Sequence, residues 1–314
     1  MIERQGIMLS VRLMTYNHEP FIEDALNSIF MQEANFVFEI VIGDDFSTDN
    51  TLQIIKEFIR KNNKSNILWN LLDRKKGDEY DIERQRVGRL ANFFNIVENC
   101  KGKYIALLDG DDYWTDPLKL QKQVDFLERN PEYTFVAGNT VVKKGDVETP
   151  LIKNYNTIQF EDLLEGNKLG VNTCTLCFRK DSLPSNYLEV LIKTSYGDWA
   201  ITLLLLKQGN GYFLQDILGV YRQHDKGVWS SMSEAEQING IFKMYNYIEA
   251  TYPDYGKKIN EYQINTIKKI QQSNYNRAMQ DFKQSRKVFD LALFKLKLKE
   301  KKQIFIKNLF NNGK

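Results

Sequence analysis

Three carboxylates fall within four residues of the segment LLDGDDYW at 107–114: Asp109, Asp111 and Asp112. Charge crowded this closely repels itself unless a cation offsets it. Carboxylate oxygens suit hard divalent ions such as Mg²⁺ or Mn²⁺, which commonly bridge protein carboxylates to the phosphates of a substrate. The plainer alternative is an acidic turn in which one Asp caps the next helix and the others are solvated. A second acidic pair, Asp44 and Asp45, closes IVIGDD, so one ligand could meet both clusters. His224, in VYRQHDKGVWSS, could complete a mixed carboxylate and imidazole site. His18, in YNHEP, reads as local turn chemistry. Asp198, in YGDW, stands where a loop meets a helix. It is either a helix N-cap or a carboxylate able to take a proton from a hydroxyl.

These residues need a frame that brings them together. Residues 9–15, 36–43, 67–72 and 104–108 are short Val, Ile and Leu-rich runs bounded by polar residues, as expected of strands buried on both faces. Apolar residues at helical spacing between them predict helices over 21–30, from about 49 to 61, and over 88–100, with a charged loop at 73–86. Strands alternating with helices predict an α/β fold with a mainly parallel, Rossmann-like sheet flanked by helices. Its ligands should lie beyond the carboxyl ends of the strands. The polar clusters sit at those ends: Thr15, Tyr16 and Asn17, then Asp44 and Asp45, then Asp109 to Asp112.

Composition narrows the class further. Of 314 residues, 42% are apolar and 27% charged, the balance of a globular protein. Three cysteines are too few for a disulfide framework, and VNTCTLCF around Cys174 and Cys177 reads as a strand rather than a metal or redox motif. The absence of a signal-like apolar stretch at the N-terminus and of any run near 20 apolar residues leads to the expectation of a cytoplasmic protein. The net charge of +2 is uneven: residues 281–314 carry a balance of +7, leaving −5 for the body. An acidic body argues against a nucleic-acid partner.

Taken together, SVRLMTYNHEPFIEDALNSI, IVIGDDFSTDNT, KGKYIALLDGDDYWTDPLKL, YGDW and YRQHDKGVWSS occur in an order that resembles the family 2 glycosyltransferases, inverting enzymes of the GT-A fold, over residues 8–231. The resemblance is to the bacterial surface-polysaccharide type. The resemblance implies a nucleotide-sugar donor, usually a UDP-sugar, with Mn²⁺ or Mg²⁺ as cofactor. Thr15, Tyr16 and Glu19 would line the nucleotide pocket, and Asp45, with Asp44 beside it, would contact the base. Asp109 would lie near the ribose and Asp111 on the metal, with Asp112 an alternative ligand and His224 an additional metal or diphosphate ligand. Asp198 would be the general base toward an acceptor hydroxyl, and Arg222 would offset charge on the departing diphosphate. Arg86, Arg89 and Asn92 are further donor-site candidates. Two positions depart from the pattern: Met14 stands where many members have proline, and Gly197 where many have an acidic residue.

Residues 1–231 are thus expected to form the nucleotide-sugar-binding and catalytic domain, and 232–314 a C-terminal α-helical appendage. Its basic amphipathic end, 281–314, suggests peripheral contact with anionic lipid on the cytoplasmic face of the inner membrane, which would suit a glycan or polyprenyl-linked glycan acceptor. Two rival readings are a non-catalytic glycosyltransferase-like scaffold and a sugar nucleotidyltransferase. The second lacks the Gly-rich, basic phosphate loop it would need after the first strand.

Overall fold

Strand β1 (Leu9–Thr15) is buried along nearly its whole length because it pairs in parallel on both sides, with β2 (Phe38–Asp44) and with β4 (Tyr104–Asp109). The computed structural model describes residues 6–167, 170–194 and 197–284. Between these strands run α1 (Ile22–Phe30), α2 (Thr51–Lys61), β3 (Ile67–Leu71), α3 (Glu79–Val87) and α4 (Leu90–Asn99). After them come β5 (Tyr113–Trp114), α5 (Lys119–Arg129), β6 (Tyr133–Lys144), β7 (Val147–Leu151), β8 (Thr157–Ile158), β9 (Cys177–Arg179), α6 (Tyr187–Thr194), α7 (Gly197–Leu206), β10 (Asn210–Arg222) and α8 (Val228–Ser231).

The sheet runs β3-β2-β1-β4-β9-β6-β10-β5, with β7 added beside β6 and β8 beside β10. Pairings among β3, β2, β1 and β4 are parallel, as is the long β6–β10 ladder. The short strand β9 joins these two halves by antiparallel pairing to both β4 and β6.

Period-2 alternation sorts the parallel half into two faces. Leu9, Val11 and Leu13, with their ladder partners Phe38, Ile40, Ile42, Tyr104, Ala106 and Leu108, share one core with α1, α2 and α5. Ser10, Arg12 and Met14 point the other way, toward α4, where Arg12 lies over the Phe93 ring. This second face is more polar, and it leads into the acidic strand ends.

At its far edge the chain passes very close to itself. A Cβ on Gly102 would come within 2.5 Å of the Leu9 and Ser10 backbone, which cannot turn aside as a side chain would. Its N–H also donates to Ser10 Oγ, which donates in turn to buried Glu39. Gly102→Ala is therefore expected to destabilise the fold by about 1–3 kcal/mol, lowering the melting midpoint by roughly 2–12 °C. An unchanged midpoint in a thermal melt would contradict the packing described.

Two expectations are corrected here. Residues 79–86 of the expected charged loop belong to helix α3, capped by Asp78, whose side chain accepts from the Asp81 N–H at 2.8 Å. VNTCTLCF is not one strand: residues 173–175 make a single 3₁₀ turn and only 177–179 pair as β9. Both cysteines are buried free thiols, with Cys177 pushed up to about 12 by burial. Residues 139–159 are largely the β6–β7 hairpin and β8.

Met1–Ser231 and Met232–Lys314 form two compact units. In the second, α9 (Glu234–Thr251) begins with a capping box between Ser233 and Glu236 and turns back through a 3₁₀ segment at 253–255 into α10 (Gly256–Gln284). The two helices run antiparallel, with Tyr245 stacked on Tyr262 and Arg277 paired to Glu234. The membrane-contact expectation rests on 281–314, of which 285–314 lie outside the described residues. Among the described residues no helix is long and apolar enough to cross a membrane.

Candidate active site

The turn after β1 is fastened to the turn after β2. Asn17 N–H donates to Ser47 Oγ, Thr48 N–H donates to Asn17 Oδ1, and both Glu19 carboxylate oxygens accept from Asn50. Glu19 is thus committed to joining two loops. Asp44 is similarly occupied, its oxygens accepting from the N–H and hydroxyl of Ser47, and burial raises its pKa despite those bonds.

Asp45 turns the other way. Its Oδ1 accepts from the Tyr80 hydroxyl at 2.5 Å and Arg84 Nε at 2.6 Å, and it is almost fully buried. Burial and the Asp45 contact together push the Tyr80 hydroxyl well above its ordinary range, so it stays a donor. Phe46, in a left-handed conformation at φ 61°, lies 5.6 Å from the Tyr80 ring. Tyr16 is 48% exposed beside this wall. An open aromatic ring and a carboxylate acceptor thus stand close together, with the Asp45 N–H donating to the Thr15 carbonyl at 2.9 Å.

Asp109, Asp111 and Asp112 leave β4 in three directions. Asp109 Oδ1 accepts from Arg12 Nη1 at 2.5 Å. Asp112 points inward, with Oδ1 accepting the Arg222 backbone N–H at 2.8 Å. Burial and then the neighbouring Asp111 charge raise its pKa well above the carboxylate range. Asp111 Oδ2 lies 3.1 Å from His224 Nε2 and 3.7 Å from His18 Nε2. Burial alone would raise Asp111, but the His224 hydrogen bond and the His18 charge hold it below the usual range.

His18 is the member that the sequence did not disclose. Its carbonyl does make the expected turn, accepting from the Phe21 and Ile22 N–H groups, while its ring reaches across to the acidic loop. A Cβ on Gly110 would lie 2.8 Å from His18 Nδ1 and 3.0 Å from Thr15 Oγ1. The glycine thereby lets β1 and β4 ends close on each other. Gly110→Ala is expected to displace His18 at a packing cost of about 1–3 kcal/mol, lowering the melting midpoint by roughly 2–12 °C. A thermal melt would detect this, and an unchanged midpoint would count against the close approach.

Arg222 secures the same loop, donating to the Asp111 carbonyl at 3.0 Å and pairing with Asp24, its guanidinium over Tyr113. Asp198 is the second residue of α7, inside the first turn, and its Oδ1 accepts from Trp199 N–H at 2.8 Å. Burial raises its pKa, and the charge of Asp109 adds to this against the lowering effect of its hydrogen bonds. Asn92 donates to the carbonyl of Gly43, Arg86 pairs with Glu83 in solvent, and Arg89 lies near enough to Asp109 to feel its charge.

The donor chemistry fits a divalent cation: a depressed carboxylate meets an imidazole at a spacing that two ligands of one ion could share. Among the described residues no three His, Cys, Asp or Glu side chains form a ready-made cage. Substrate phosphates would complete the coordination, as is common for such ions.

A parallel α/β half joined to a mixed half, with its acidic groups beyond β1, β2 and β4, is the GT-A architecture. The chain belongs to glycosyl transferase family 2, whose model matches residues 10–184. It is 31% identical over 231 residues to an uncharacterized protein of Mycobacterium tuberculosis, covering 71% of this chain and 61% of that relative's length. The putative teichuronic acid biosynthesis glycosyltransferase TuaG of Bacillus subtilis is 23% identical, over 78% of this chain and 92% of that protein. Among solved structures, Staphylococcus aureus TarS 1–349 in complex with UDP-GlcNAc superposes with a TM-score of 0.53 at 20% identity, covering 76% and 66% of the two chains. The mannosyltransferase PcManGT of Pyrobaculum calidifontis, in complex with GDP-Man and Mn²⁺, gives 0.53 at 15% identity, covering 83% and 70%.

Proposed function

We propose that the chain is an inverting glycosyltransferase that moves a sugar from a UDP-sugar to a hydroxyl of a glycan or lipid-linked glycan. What supports this reading is that Asp45 and the acidic run at 109–112 follow the two strands that flank β1, that Asp111 Oδ2 lies 3.1 Å from His224 Nε2, and that the raised carboxyl of Asp198 lies near enough to Asp109 to feel its charge. Tyr16 would stack on the base and Asp45, oriented by Tyr80 and Arg84, would accept from its ring N–H. Among the described residues Thr15 Oγ1 is buried without a hydrogen-bond partner, beside Gly110. A divalent cation held by Asp111 and His224 would supply positive charge to the diphosphate. Arg222 keeps those ligands in place. Asp198 would take the proton of the acceptor hydroxyl as it attacks the anomeric carbon, and a single displacement inverts that centre. The TuaG and TarS similarities support a bacterial cell-surface glycan as the acceptor class.

The test is thermal stabilisation by UDP, GDP and several UDP-sugars, each with and without Mn²⁺. Near a hundredfold excess over Kd, binding to the folded state adds about 2.7 kcal/mol, which corresponds to roughly 5–10 °C. A shift by UDP species that requires the metal supports the reading; no shift with any nucleotide would leave the scaffold reading in its place.

A further inference from the structure

Arg12 sits in the middle of β1 with its side chain fully buried, in a strand otherwise built of apolar residues and two hydroxyls, Ser10 and Thr15. A guanidinium is costly to remove from water, and leaving its donors unmade is costlier. Yet among the described residues its Nε and Nη2 meet no acceptor. Only Nη1 is used, donating to Asp109 Oδ1 at 2.5 Å across 97 positions of sequence. Parallel register explains the reach. Leu107 stands opposite Arg12 and Asp109 opposite Met14, so Asp109 lies two residues further along the same face.

An apolar side chain would satisfy the packing here against Phe93, whose ring lies 5.0 Å from the guanidinium carbon. The residue's charge is instead aimed at one carboxylate of a crowded set, since Asp109 also acts on Asp112 and Asp198. Asp109 keeps 26% of its side chain open, and its second oxygen has no protein hydrogen bond among the described residues. A carboxylate held by one oxygen in one rotamer presents the other as a fixed acceptor.

We infer that Arg12 is a positioning residue of the donor site, fixing Asp109 as an acceptor for a hydroxyl of the nucleotide donor. It acts through Asp109 and touches no substrate. This rests on the donor-site reading above.

The test is a double-mutant cycle on the affinity for UDP with Mn²⁺, measured by calorimetry on wild type, Arg12→Met, Asp109→Asn and the double variant. Each single change is expected to weaken binding about tenfold or more, and the double variant no more than the weaker-binding single. Arg12→Lys, which keeps charge without the planar fork, should recover part of the loss. It also stands in for Arg12→Met if that variant does not fold. Losses that multiply in the double variant would overturn the inference, because Arg12 would then act independently of Asp109. Equal binding by Arg12→Met and wild type would do the same. A wild-type protein that binds neither UDP nor GDP would overturn the donor-site reading itself.

Discussion

Asp198→Asn should lower kcat by about 10²–10⁴-fold, the usual contribution of a positioned general base, while leaving donor affinity unchanged. The amide keeps the shape of the carboxylate and an oxygen for the Trp199 N–H, so the first turn of α7 persists. What it lacks is a site for the acceptor's proton. In the wild type, burial places this carboxyl above its ordinary range, with the charge of Asp109 adding to the effect. The acid limb of kcat against pH should therefore lie above about 3.9, the reference value for Asp. Activity is full on the alkaline side of that limb and is lost as pH falls through it. Stability runs in the opposite sense. A folded carboxyl that binds its proton more tightly than the unfolded one stabilises the fold at low pH and loses that contribution as pH rises through its folded pKa. Asp198→Asn should thus melt no lower than wild type at neutral pH. Undiminished transfer by a variant that melts normally would remove Asp198 from the mechanism.

The parallel half was legible in the sequence because β1, β2 and β4 are buried on both faces and read as unbroken apolar runs. Their ends pointed to the crevice for the same reason: carboxylates directly after such runs are placed by the fold rule. Helix α3 was not legible from periodicity, since only Tyr80 and Asp81 of its nine residues are buried and Ile82 is 62% exposed. Losing that helix hid Tyr80 and Arg84, the groups that hold Asp45. The available signal was Asp78, a capping side chain three residues before Asp81. His18 and Arg12 were hidden for a different reason. Each acts on a carboxylate more than ninety positions away, and nothing local in YNHEP or SVRLM records such a partner. The mixed half was obscured because β9, only three residues long, is the strand that joins β4 to β6.

Asp111→Asn is expected to abolish the metal-dependent part of nucleotide stabilisation, leaving a shift that is the same with and without Mn²⁺. The neutral amide can still hydrogen-bond His224, whose Nε2 lies 3.1 Å from Asp111 Oδ2, so the loop should keep its course while the anionic ligand is gone. Asp112→Asn is the informative comparison, because an acidic run leaves the register of metal ligation open. Asp112 is 3% exposed and spends Oδ1 on the Arg222 N–H, a bond that an amide oxygen also makes. Its pKa is raised well above the carboxylate range, first by burial and then by Asp111, so neutralising it removes a charge the fold bears at a cost. Asp112→Asn should therefore retain the Mn²⁺-dependent shift and melt at or above the wild-type midpoint. The opposite pattern, with binding kept in Asp111→Asn and lost in Asp112→Asn, would move the cation from the imidazole side of the loop to its buried side. His224 and His18 would then hold an orienting carboxylate in place of a metal ligand.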